Sequence, residues 1–173
     1  MSLVAVTTLA SFGCAGTRIA DGVFNSPKGY RVTLPGSDWS VTDPGRADLA
    51  LTHKDTRAAM LVNASCGRDR SSATLAVLAR HLLTGVRDRS VVVREEVPVN
   101  GTVARHSIVE ARVADTGEPV KIELYVMRDE RCLYDFLYVA PPEAFAARRP
   151  DFERFVQTFS ASGSPSARPS GEK

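Results

Sequence analysis

A chain of 173 residues with 43% hydrophobic content is long enough for one domain and apolar enough to build a core. Lys and Arg number 22 against 20 Asp and Glu, and a net charge of +2 is too even a balance for the basic footprint of a nucleic-acid binder. Lysine occurs only at Lys28, Lys54, Lys121 and Lys173, and the arginines are scattered along the chain rather than interleaved with aromatics.

The first element is the uncharged run LVAVTTLASFG, ending at Cys14. It is far short of the ~20 apolar residues a spanning helix needs, but it has the length of a signal-peptide core. With Gly13 before the cysteine, residues 1–14 resemble a bacterial lipoprotein signal, which implies cleavage before Cys14 and a lipid on its thiol. Ser11, Phe12 and the missing basic start depart from that pattern. The alternative is an edge strand or frayed terminus with Cys14 a plain thiol. Residues 15–22, AGTRIADG, read as a linker because small and polar residues with two glycines neither pack nor hold a helix.

The folded part is expected over 23–159. GYRVTLP reads as a strand closed by a Pro-Gly turn, and LALTHK with AAMLVNASC as a hairpin. Over 72–86 the period changes to three and four (Leu75, Leu78, Leu82, Val86), which predicts a helix capped by Ser71 or Ser72 and ended at Gly85. SVVVREEVPV, Asn100-Gly101 and TVARHSIVEARV form the pattern of a tight hairpin, because both turn residues tolerate positive φ. VKIELYVM alternates between an apolar and a mixed face, while LYDFLYVA is apolar on both and belongs inside a covered sheet. Phe152, Phe155, Val156 and Phe159 predict a second helix over 143–159 with Pro150 opening its main turn. The tail 160–173 is Ser-, Pro- and Gly-rich and reads as disordered. The fold class is α+β: a single antiparallel meander over 29–140 flanked by two helices.

SPKGYRVTLPGSDWSV and LYDFLYVAPPEAFAARRPDFERFVQTF together resemble the PsbP-like αβα sandwich across about Val23 to Phe159. That fold is shared by extrinsic subunits of the photosynthetic oxygen-evolving complex, a Ran-binding nuclear-import factor and bacterial lipoproteins. The resemblance implies action by binding other proteins. Its motifs, Gly29-Tyr30, Pro35, Trp39 and the closing aromatic strand and helix, are structural and carry no catalytic residue.

Catalytic motifs are missing: there is no G-x-S-x-G, P-loop, H-E-x-x-H or C-x-x-C. His53, His81 and His106 fall on three separate elements, so no metal or cofactor site is expected. Glu110, Arg112, Lys121 and Glu123 read as cross-strand ion pairs on a solvated face rather than an acid/base site. Trp39 reads as a core plug. An exported chain with three cysteines, one of them lipidated, leaves Cys66 and Cys132 to pair. A helix joining parallel strands 58–66 and 89–98 would make strand 132–140 antiparallel to 58–66, with both thiols at one edge of the sheet. Neighbouring strands would allow a disulfide, and separated strands would leave two buried thiols.

The expectation is therefore a non-enzymatic envelope lipoprotein, membrane-anchored through Cys14 on the periplasmic side, that binds or helps assemble an unknown protein partner. The rivals are a periplasmic small-ligand or metal-binding module and a soluble protein with no lipid anchor.

Overall fold

The computed structural model describes residues 18–69 and 71–161. Cys14, the signal segment, most of the linker and residues 162–173 lie outside the described residues.

The chain builds two antiparallel sheets rather than the single one expected. The small sheet has the order β1-β2-β3-β11, from Ile19–Ala20, Val23–Ser26, Tyr30–Thr33 and Ser160–Ala161. The large sheet has the order β4-β5-β6-β10-β9-β8-β7. Its strands are β4 (Trp39–Thr42), β5 (Leu49–His53), β6 (Ala59–Cys66), β7 (Val86–Val99), β8 (Thr102–Val113), β9 (Pro119–Arg128) and β10 (Cys132–Ala140). The split occurs where Pro35-Gly36 redirects the chain, Gly36 taking a φ of +130° that other residues rarely adopt. The ordered fold also reaches beyond 23–159: Ile19 and Ala20 pair with Phe24 and Val23, and Ser160 and Ala161 with Arg31 and Tyr30. Backbone hydrogen bonds recruit these short segments to sheet edges whatever their side-chain pattern.

Each covering helix packs on one face of the large sheet. Along β10, Cys132, Tyr134, Phe136, Tyr138 and Ala140 join the core beneath α2 (Pro142–Gln157) and the small sheet, while Leu133, Leu137 and Val139 join the core beneath α1 (Leu75–His81). The doubly apolar sequence of β10 thus places it in the sheet's interior, between β6 and β9.

The helix α1 is shorter than expected, and Thr74 rather than Ser71 or Ser72 caps it, its hydroxyl accepting from the Val77 amide at 3.4 Å. It ends early because tight turns take over: the Leu83 amide donates to the Arg80 carbonyl and the Thr84 hydroxyl to the His81 carbonyl. In α2 the expected role of Pro150 falls to Pro142, which stands in the first turn, and Pro150 lies inside the helix. It is tolerated because it is exposed, where water can satisfy the carbonyl it leaves unbonded. The β7–β8 turn is as expected, with Asn100 at φ +47° and Gly101 at +84°. The Asn100 amide also donates to the carbonyls of Gln157 and Phe159 at 2.7 and 2.6 Å, tying the hairpin tip to the end of α2.

Candidate functional site

The four charged residues expected on a solvated face are divided by the fold. Lys121 pairs with Glu110 at 3.1 Å and Arg112 donates to the Gly117 carbonyl, both at the surface. Glu123 is instead fully buried beneath α2. One of its oxygens meets His106 Nε2 at 2.7 Å and accepts from the Tyr125 hydroxyl at 3.3 Å, and the other accepts from Arg149 at 3.0 Å. His106 stacks on Tyr125 and reaches Glu95 through its second nitrogen at 2.9 Å.

Burial disfavours the His106 imidazolium, yet its bonds to Glu123 and Glu95 outweigh this and raise its pKa. Burial likewise works against the Glu123 carboxylate, and the bonds from His106 and Arg149 more than offset it, lowering its pKa. Both oxygens are engaged in this closed cluster, which fastens α2 to β8 and β9. The Trp39 indole adds a second fastening, donating to Asp151 on α2 at 3.1 Å, and Trp39 is buried as a core plug. His53 packs edge-on against Trp39 and His81 ends α1, so the three histidines sit in different surroundings. Among the described residues no group of three or more His, Cys, Asp and Glu could hold a metal ion.

Asp135, on the α1 face of β10, is the opposite electrostatic case. Its Oδ1 is buried with no hydrogen-bond partner among the described residues. Burial pushes its carboxyl up from 3.8 to about 6, against the opposing bond from Asn63. Between those values the unfolded chain ionises while the folded chain holds the proton, so stability falls as pH rises from about 4 to about 6 and stays lower above. Two units at 1.36 kcal/mol each is about 3 kcal/mol. Asp135→Asn is therefore expected to stabilise the protein by up to about that amount at pH 7.5 and by nearly nothing at pH 4. Denaturant midpoints of both proteins at the two pH values check this, and an equal shift at both would refute it.

Cys66 and Cys132 are directly opposed in the β6–β10 register and joined by a disulfide, with Cα atoms 4.2 Å apart. The sequence carried the strand directions that bring both thiols to one edge. It could not show that β10 enters between β6 and β9, which makes the two cysteines neighbours.

A concavity lies on the other face, between α1 and the outer β7–β8 ribbon, and measures about 260 Å³. It exists because α1 has only seven residues and lies over β8 and β9, leaving the outer strand uncovered. Ala79, Leu83, Val109 and Leu124 form its apolar lining, and Arg80, Arg89, Arg94 and Arg105 stand around it. No linear spacing links these arginines, so no sequence motif announced them.

No protein-family model matches the sequence, and no curated protein matches it. Solved structures do. The cyanobacterial PsbP protein CyanoP of Synechocystis aligns over 88% of this chain and 100% of its own, at 13% identity and a TM-score of 0.58. LpqN of Mycobacterium tuberculosis, described as involved in cell envelope biogenesis, aligns over 79% and 86% at 9% identity and a TM-score of 0.60. A protein from Bacteroides thetaiotaomicron aligns over 82% of this chain and 48% of its own, at 14% identity and a TM-score of 0.57. With its central β10, its α1 and α2 on opposite sheet faces and these structural likenesses, the chain has the PsbP-like αβα-sandwich fold.

Proposed function

We propose that this protein is a non-catalytic module of the bacterial cell envelope, held on the periplasmic side of a membrane by lipid on Cys14, whose PsbP-like domain binds or helps assemble a partner protein. The observation that carries the proposal is the Cys66–Cys132 bond. Structural disulfides persist in oxidising compartments and are rare in the cytosol. The bond uses two of the three cysteines and leaves Cys14, the residue that ends the N-terminal apolar run, for acylation. The fold shared with LpqN supports an envelope setting. None of the described helices is long and apolar enough to cross a membrane. The closed bonding of Glu123 supports a structural role for the most chemically suggestive cluster in the domain.

Wild-type protein is expected in the membrane fraction, with an intact mass showing loss of residues 1–13 and gain of acyl chains. Cys14→Ser is expected to move it to the soluble fraction. Wild type and variant both soluble and full length would overturn the anchor, and cross-linking in cells followed by mass spectrometry identifies the partner. The cleft beside α1 favours a second reading, the small-ligand module, and supplies its chemistry.

A further inference from the structure

Four arginines separated by up to 25 positions, 80 to 105, meet around one cleft because three elements converge there: α1 brings Arg80, β7 brings Arg89 and Arg94, and β8 brings Arg105. The register of β7 against β8 shifts between Val91 and Val93, where Val92 is the extra residue. That bulge places Val91 and Arg94, three apart, on the same side of the strand, as a regular strand would not.

Among the described residues no carboxylate lines the cleft. Arg105 pairs loosely with Glu96 at 4.0 Å, at a carboxylate that is two-thirds exposed, and Arg89 donates to the Val86 carbonyl. The Arg80 and Arg94 guanidinium groups have no side-chain or backbone partner among the described residues. The Ser107 side chain adds a hydroxyl to the wall, and the apolar lining lies between the charges. Guanidinium forks match the paired oxygens of phosphate and carboxylate. A neutral apolar ligand would leave these charges unanswered, whereas a bare inorganic anion would leave the lining unused. Ligand pockets for drug-sized molecules run from roughly 300 to 1,000 Å³, and 260 Å³ suits a head group with a short stem.

We infer that the cleft between α1 and the β7–β8 ribbon binds a small amphiphilic oxyanion, a phosphate or carboxylate head held by Arg80, Arg94 and Arg105 with its apolar stem against Leu83, Val109 and Leu124. The inference rests on the small-ligand reading and stands whether or not Cys14 carries lipid.

The test uses the full-length chain carrying Cys14→Ser, titrated with octyl phosphate below its micelle concentration and followed by backbone amide NMR. Shifts are expected to concentrate on 75–94 and 104–109, with binding at least about tenfold tighter than inorganic phosphate, and none at these residues with octyl glucoside. Arg94→Ala with Arg105→Ala is expected to weaken binding about tenfold or more, the scale of lost charge-assisted hydrogen bonds. Arg57→Ala, which removes a surface ion pair with Glu118, is expected to leave it unchanged. Octyl phosphate binding no tighter than phosphate, shifts spread away from the cleft, or undiminished binding by the folded double variant would each overturn the inference. The fractionation of Cys14→Ser is read separately, so the anchor and the cleft fail independently.

Discussion

Phe155→Ala is expected to lower the unfolding free energy by about 3–5 kcal/mol, the usual cost of emptying a buried phenylalanine site. Phe155 is almost wholly enclosed where α2 meets β10, its ring edge-on to Phe136 with centroids 5.8 Å apart, and Phe159 approaches the same Phe136 ring at 5.5 Å. The cavity cannot close by a small collapse. The helix is held in place at Arg149 by Glu123, at Asp151 by Trp39 and at its C-terminal end by Asn100. Val103→Ala is the contrast: Val103 is 58% exposed, and such surface changes usually fall within ±0.5 kcal/mol. Urea melts of the three proteins compare the two costs directly, and similar midpoints for both variants would mean that α2 does not bury Phe155.

The double substitution Cys66→Ala with Cys132→Ala is expected to cost about 4 kcal/mol, from the chain entropy released when the disulfide no longer ties a 66-residue separation. In a domain of this size that lowers the melting temperature by on the order of 10 °C. The native fold should survive, because β6 and β10 remain paired from Cys66 and Cys132 to Ala59 and Val139. Cys132 is almost fully buried and Cys66 only partly so, which makes Cys66 the sulfur more open to reductant. Denatured, unreduced protein should show both thiols unreactive. Two reactive thiols, together with a melt indifferent to reductant, would rule the bond out.

Much of the architecture could be read from the chain because local signals agreed with the global fold. The Asn100-Gly101 pair fixed a tight turn, the two apolar faces of LYDFLYVA marked an interior strand, and Phe152, Phe155 and Val156 marked the buried side of α2, which ends at Gln157, so that Phe159, expected on the helix, reaches the same core from beyond its C-cap. Glu123 was misread for a physical reason. Alternation assigns a charged residue to water, whereas here His106, Arg149 and Tyr125 replace water entirely. Trp39 was read correctly, but its hydrogen bond to Asp151, 112 positions away, depends on tertiary placement. The arginine cleft was hidden for the same reason, together with the Val92 bulge that changes which residues share a face.

The position of β10 also governs the order in which the chain can assemble. It is the last long strand in sequence, yet it is the seam between a β4–β6 block and a β7–β9 block. Until residues 132–140 are available, β6 and β9 have no common neighbour and the α2 core has no floor. Such distant pairing must overcome loop-closure entropy before it is rewarded, which slows folding. The large sheet is therefore expected to close late, and a chain emerging N-terminus first cannot join its two blocks until residues 132–140 have been made.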